Sequence, residues 1–275
     1  MKNLINEVDI NDAQAAIKVL LNEILKTYNY DKGYYLKVKI YAQINELIKE
    51  MKQDSLAVLA INTYDYLTYN DKIGLDPALV PTYGDNVFIQ YYLLVNKESN
   101  FKNITDLRGA KIGLVSSTNN IASRLWLDIM LAKENIPDKT KFFKNIIMSD
   151  KESQLILNLF FGQLDACIVT AGTFSLMKEL NPQLGEKITV IQSSPNYLWG
   201  VMCFTKMVYN PEDRKLFYTN SMQIQKLNSG RQLFSLVKIT KLEPFKNEYL
   251  NSFKDLLKEF TYFLKVKKIK NNEPN

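Results

Sequence analysis

The sequence predicts an α/β protein folded as two lobes. Three observations predict it. Short β-rich runs alternate with helical stretches along most of the chain, as in strand–helix–strand units. Two long extended stretches, 86–96 and 192–206, interrupt that rhythm. The α/β segment between them has about a hundred residues, a usual domain size. The simplest topology builds lobe I from residues 1–92 together with 197–275, and lobe II from 93–196. The two extended stretches then cross between the lobes as paired hinge strands.

Strands are expected over 36–40, 56–61, 111–115, 146–149, 166–170 and 187–192, each apolar or β-branched and bounded by polar residues. The continuous apolar run at 57–61 suits a strand covered on both faces. Helices are expected over 12–28, 44–51, 119–134, 153–164 and 174–180. The first carries Ala13, Ala16, Ile17, Leu20, Leu21 and Ile24 on one apolar stripe. Asp12, or Asp9 with Asn11 behind it, offers its N-cap. From 211 to 265 the pattern reads as helical throughout.

Composition removes whole classes of chemistry. The 275 residues are 46% apolar and 23% charged, an ordinary globular balance. There is no histidine, which excludes the Ser-His-Asp triad, the Cys-His dyad, HExxH sites and histidine-capped zinc fingers. Cys167 and Cys203 are too few for a four-thiolate metal site, and each sits in an apolar run as an inert thiol. The phosphate loops of nucleotide enzymes and the GxSxG elbow are missing. No catalytic set, metal or cofactor is expected.

The net charge is +6, and the last eleven residues hold half of it, with Lys265, Lys267, Lys268 and Lys270 against Glu273. A balanced body with a basic tail lacks the broad basic face that nucleic acid requires. No membrane span is expected, because 192–196 breaks the longest uncharged run, 188–205. Any membrane contact runs through a partner or a missing anchor. No apolar signal region follows the start. Two locations stay open: the periplasm or cell exterior with an export signal removed, or the cytoplasm.

Ligands of open parallel sheets bind beyond the carboxyl ends of strands, where helix N-termini favour anions. The leading candidate is 111–123. There a strand ends in Ser116, Ser117 and Thr118, and Asn119 opens a helix. Hydroxyls and N–H groups converging on one point suit a tetrahedral oxyanion. Plain N-capping needs only one hydroxyl. The second candidate is the turn after 56–61, where Asn62 and Thr63 open a helix and Tyr64 offers a phenol across a cleft. At the third, Thr170 ends a strand, Gly172 permits close backbone approach, and Thr173 caps. Asp12 is a simple cap or an acceptor for an amine. Tyr83 and Tyr197 flank the crossovers as candidate walls, with ordinary packing as the competing role. Acid–base chemistry would fall to Asp12, Asp65 or Asp165; the last lies in a turn and reads as a structural acceptor.

Four segments resemble a known family: Asn11-Asp12-Ala13, the stretch 104–113 (Ile-Thr-Asp-Leu-Arg-Gly-Ala-Lys-Ile-Gly), Ser116-Ser117-Thr118, and Gly162-Gln163-Leu164-Asp165-Ala166. In order and spacing they resemble the phosphate/phosphite/phosphonate-type substrate-binding proteins of ABC transporters, within the type 2 periplasmic-binding-protein fold. The resemblance implies two mixed sheets flanked by helices, joined by two hinge strands. It implies capture of a small oxyanion in an interlobe cleft by hinge closure, with an ABC permease as partner and a monomer as the working form. Ser116, Ser117 and Thr118 would grip the anion from lobe II, and Tyr64 would touch it from lobe I. The alternatives are a ligand-sensing domain of a receptor and a cytoplasmic enzyme on the same fold.

Overall fold

The computed structural model describes residues 10–27, 38–41, 43–51, 57–116, 120–206 and 211–272. By internal contacts the chain forms two compact units, 1–88 with 198–249 and 89–197 with 250–275. The first passage contributes α1 (Ile10–Thr27), α2 (Ile44–Met51), β1 (Val58–Asn62), α3 (Thr63–Ile73), β2 (Asp76–Pro81) and β3 (Phe88–Ile89). The middle passage holds β4 (Tyr91–Asn96), β5 (Lys111–Val115), α4 (Ile121–Lys133), α5 (Lys139–Phe142), β6 (Asn145–Ser149), α6 (Glu152–Phe160), β7 (Ala166–Thr170), α7 (Ala171–Leu180), α8 (Pro182–Lys187) and β8 (Ile188–Ser193). Last come β9 (Tyr197–Leu198), β10 (Gly200–Phe204), α9 (Pro211–Ser221), α10 (Asn228–Leu236), β11 (Leu242–Pro244) and α11 (Asn251–Asn272). β3 and β9, where the chain passes between units, pair as a two-stranded ladder.

The first unit is built on a sheet of order β1-β10-β2-β11 in which each neighbouring pair is antiparallel. β1 and β2 still run the same way, because both oppose β10. Leu20 of α1, Leu79 of β2, and Leu233 and Phe234 of α10 meet Leu242 and Ile224 in its core. Each such side chain contributes about 1.5–3 kcal/mol by leaving water. Glu23 of α1 accepts from both the amide and the hydroxyl of Ser229 at the start of α10. Those two bonds pull its carboxyl below the usual range.

Two expectations need correction here. The strand expected at 36–40 does not form: residues 38–40 are irregular, and 36–37 lie outside the described residues. The stretch after 211 is not helical throughout. Leu242–Pro244 forms β11, whose register with β2 pairs Leu242 with Pro81 and Pro244 with Leu79. Three residues with no β-branched side chain carry almost no local strand signal; the exposed edge of β2 selects the conformation.

The second unit has a five-stranded sheet of order β6-β5-β7-β4-β8. β5 lies between β6 and β7, parallel to both, whereas β4 is antiparallel to β7 and β8. Leu155, Ile156 and Leu159 of α6 pack on Val115, Cys167 and Val169. Gly113 is required in the middle of β5, since an added Cβ would lie 2.6 Å from Leu164 Cδ1 and 2.8 Å from Leu155 Cδ2. α4 is buried almost all round, at Ala122, Leu125, Trp126, Leu127, Ile129, Met130 and Leu131, because α11 packs along it.

Two of the motifs that carry the family likeness, 104–113 and 162–166, have structural roles here. Asn103 and Asp106 form a reciprocal capping box around the turn at Ile104–Leu107. Gly109 follows in the left-handed region, at φ 78°. Asp165 accepts from the Lys111 amide at 2.7 Å and returns its own amide to the Lys111 carbonyl at 3.0 Å. That exchange ties the start of β5 to the turn before β7, the structural role expected of Asp165.

Candidate functional site

In the second unit, three parallel strands end at one edge of the sheet. β5 delivers Ser116 there, β6 delivers Ser149 and Asp150, and β7 delivers Thr170. The Ser116 amide donates to the Ser149 carbonyl at 2.9 Å, and its hydroxyl donates to the Asp150 carboxylate. Thr170 caps α7 by accepting from the Thr173 amide at 3.3 Å, while its hydroxyl donates to Glu152 at 2.6 Å. Both hydroxyls therefore position neighbouring groups. Ser117, Thr118 and Asn119 lie outside the described residues.

Two further groups stand at that edge. Asn120 is 2% exposed, accepts from the Tyr91 hydroxyl at 3.2 Å, and has an amide Nδ2 with no partner among the described residues. A buried donor left unpaired costs about 1–3 kcal/mol. Arg124, one turn along α4, donates to the carbonyls of Val115 and Ser116, both at 3.2 Å. Burial draws its guanidinium below the usual value, with Tyr91 and Asp128 opposing. It remains a cation, and it sets positive charge against the end of β5.

The first unit has its own donor cluster at the end of β1. Asn62 caps α3 by accepting from the Asp65 amide at 2.8 Å, and its Nδ2 donates to Asp65 Oδ2 at 2.7 Å. Burial raises the Asp65 carboxyl above its usual value, against that bond from Asn62. Thr63 is fully buried; its amide donates to the Trp199 carbonyl at 3.0 Å, and its hydroxyl has no partner among the described residues. The Trp199 indole N–H is buried and unpartnered on the same terms. Tyr83 leans on the Trp199 ring at 5.3 Å, and burial raises its phenol well above the usual value. The structure thus gathers Thr63 and Tyr83 around Trp199, with Tyr64 in the same helical turn as Thr63.

Two candidates stand elsewhere. Asp12 is the third residue of α1 and exposed, inside the first turn and not at the cap. Tyr197 is buried in the second unit between Tyr91 and Phe253, at ring distances of 6.4 and 5.8 Å. Sequence reasoning did not single out Trp199, Asn120, Arg124, Asp150 and Glu152. The turn after the strand at 146–149 obeys the same carboxyl-end rule as the others, and applying the rule there exposes Asp150 and Glu152. Trp199 and Asn120 carry no comparable sequence signal.

Helix-flanked sheets of this topology, with donors gathered at strand ends and helix starts, share the type 2 periplasmic-binding-protein fold. A family model described as "ABC transporter, phosphonate, periplasmic substrate-binding protein" matches residues 10–250, and the chain belongs to that family. No curated protein sequence matches it.

Solved structures share the fold at low identity. A binding-protein component of an ABC phosphonate transporter from Pseudomonas aeruginosa has a TM-score of 0.65 at 14% identity, over 96% of this chain and 86% of that one. PhnD1 from Prochlorococcus marinus, in complex with methylphosphonate, gives 0.62 at 13% identity, over 92% and 95%. A Xanthomonas citri protein bound to chloride ion gives 0.70 at 11% identity, over 94% and 97%.

Proposed function

We propose that this chain captures a small tetrahedral oxyanion of the phosphonate or phosphate class and delivers it to the permease of an ABC transporter. It works outside the cytoplasmic membrane, as a monomer, by binding without covalent chemistry. The observation that carries the reading is the buried Asn120 amide, whose donor has no partner among the described residues. It directly follows Ser117, Thr118 and Asn119 in the sequence and shares the edge of Ser116 with Arg124. The methylphosphonate complex of the Prochlorococcus relative supports the ligand class.

Ser117 and Thr118 are the donors we assign to the anion, with Asn119 beside them. Ser116 and Thr170 hold the surrounding acidic groups in place. From the first unit, Thr63 and Trp199 supply buried donors that seek an acceptor, with Tyr64 and Tyr83 beside them. Charge-assisted hydrogen bonds contribute about 1.5–3 kcal/mol each. Loss of one therefore weakens binding roughly 10- to 150-fold.

Titration calorimetry with methylphosphonate, phosphite, phosphate and sulfate tests this directly. At least one of the phosphorus oxyanions should bind saturably. The Ser117→Ala/Thr118→Ala double variant should lose at least tenfold in affinity while keeping its unfolding transition. Unchanged affinity in that variant, or no binding by any of the four anions, removes the proposal.

A further inference from the structure

The Thr63 hydroxyl and the Trp199 indole N–H, both in the first unit, lack an acceptor among the described residues. A third such group stands in line with them. Thr82, the residue after β2, is fully buried, and its hydroxyl has no hydrogen-bond partner among the described residues. Its backbone is fully used: the Thr82 amide donates to the Lys241 carbonyl at 2.9 Å, and the Thr82 carbonyl accepts from the Thr240 amide at 2.9 Å. These bonds continue the ladder between β2 and β11 and hold the residue in place. Only the side-chain oxygen is left over.

Buried hydroxyls elsewhere in the chain show the ordinary outcome. Thr205 donates to the Ala57 carbonyl, Ser229 to the Glu23 carboxylate, Ser123 to the Asn120 carbonyl and Ser194 to the Pro195 carbonyl. Valine has nearly the shape of threonine and carries no polar atom. Packing alone therefore gives no reason for a buried, unpaired oxygen at Thr82.

The sheet register lines the three residues up. β1 and β10 pair Asn62 with Gly200, and the next step brings the Thr63 amide to the Trp199 carbonyl at 3.0 Å. β10 and β2 pair Met202 with Leu79, and carrying that register to the strand ends sets Trp199 opposite Thr82. Tyr83, next along the chain, lies against the Trp199 ring at 5.3 Å, which keeps the end of β2 beside it. Cross-strand neighbours share a face of a sheet, and adjacent strands stand about 4.8 Å apart. Thr63, Trp199 and Thr82 thus form a row about 10 Å long. It stands at the carboxyl ends of β1 and β2, the edge at which such sheets receive ligands. An indole can only donate, whereas a hydroxyl can turn either way. The middle member therefore calls for an acceptor, and both flanking hydroxyls can donate to it.

We propose that Thr82 is a ligand-binding residue, the third donor of a Thr63–Trp199–Thr82 row that receives the oxygens of the anion on the first unit. This rests on the oxyanion reading above and adds a residue to it.

Calorimetric titration of methylphosphonate, phosphite and phosphate into the full chain, with thermal melts of the ligand-free proteins, tests this in wild type, Thr82→Val and Thr82→Ser. Valine removes the hydroxyl and keeps the branched shape; serine keeps the hydroxyl and drops the methyl. Thr82→Val should weaken the anion that wild type binds by roughly fivefold or more, the share of one hydrogen bond. Its ligand-free melt should stay at or above that of wild type, since no bond inside the protein is lost. Thr82→Ser should bind much as wild type does. Unchanged affinity in Thr82→Val overturns the proposal. So does a ligand-free Thr82→Val melt clearly below wild type, which would show that the hydroxyl serves a partner within the protein. A Thr82→Ser variant as weak as Thr82→Val overturns it too, by placing the effect on shape. The two readings fail separately. If the Ser117→Ala/Thr118→Ala variant loses affinity and Thr82→Val does not, the oxyanion reading stands and the role of Thr82 falls. If wild type binds none of the three anions, both fall.

Discussion

The hydroxyl of Thr170 donates to the Glu152 carboxylate at 2.6 Å, and so joins the end of β7 to the first turn of α6. The same oxygen accepts from the Thr173 amide, and it lies 2.9 Å from the Thr173 hydroxyl. One side chain therefore caps α7 and supplies a donor to a carboxylate that is only 9% exposed. Thr170→Val keeps the shape and loses both roles. It should destabilise the protein by about 1–3 kcal/mol in urea unfolding followed by circular dichroism. Thr170→Ser should recover most of that loss. Equal stability of the valine variant and wild type would show that the cap and the bond to Glu152 contribute nothing.

Thr63 and Trp199 predict effects of opposite sign on stability and binding. Each holds a buried donor without a partner among the described residues. Replacing such a group with an apolar one of similar shape removes a desolvation penalty. Thr63→Val and Trp199→Phe should leave the ligand-free protein as stable as wild type or slightly more so. The same variants should weaken binding of the phosphorus oxyanion severalfold. Parallel thermal melts and calorimetry read both quantities. A loss of ligand-free stability without a loss of affinity would make these residues packing elements only.

How much of this was legible in the sequence divides along physical lines. The amphipathic spacing of Leu20 and Ile24 gave α1, and the apolar runs at 111–115 and 166–170 gave β5 and β7, because these signals are local. β11 was not legible, since Leu242–Pro244 is a strand only by pairing with β2. The strand-end rule led to Ser116, Thr63 and Thr170. It could not say that Ser116 and Thr170 spend their hydroxyls on Asp150 and Glu152, acids 34 and 18 residues away along the chain. Nor could it find Trp199, whose carbonyl receives the Thr63 amide across a distance in sequence that no local pattern spans.

Gly113 and Gly230 both admit no side chain, and the two should differ in cost. An added Cβ at Gly113 would meet the ends of Leu164 and Leu155, which can rotate away at about 1–3 kcal/mol. At Gly230 it would lie 1.9 Å from the backbone carbonyl oxygen of Ile224, which cannot move without undoing the start of α10. Gly230→Ala should therefore cost more than Gly113→Ala, on the order of 3 kcal/mol or above. Denaturant midpoints of the two alanine variants decide this. The reverse ranking would mean that the turn before α10 yields more readily than the β5 core.

Asp65 gives a pH dependence whose sign follows from its surroundings. Burial raises its carboxyl above the usual value near 3.8, and the Asn62 amide only partly opposes this. The folded state therefore holds the proton more tightly than the unfolded chain. The contribution of this group to stability is complete below the unfolded value and is lost as pH rises through the folded one. At neutral pH the buried carboxylate is a cost. Asp65→Asn keeps the volume, keeps an oxygen to accept from Asn62 Nδ2 at the position now 2.7 Å away, and removes the charge. The variant should melt higher than wild type at pH 7, and the gap should close as pH falls toward 3. Thermal melts of the two proteins across that range make the comparison. A variant that melts lower at pH 7 would show that the Asn62–Asp65 bond outweighs the cost of burying the charge.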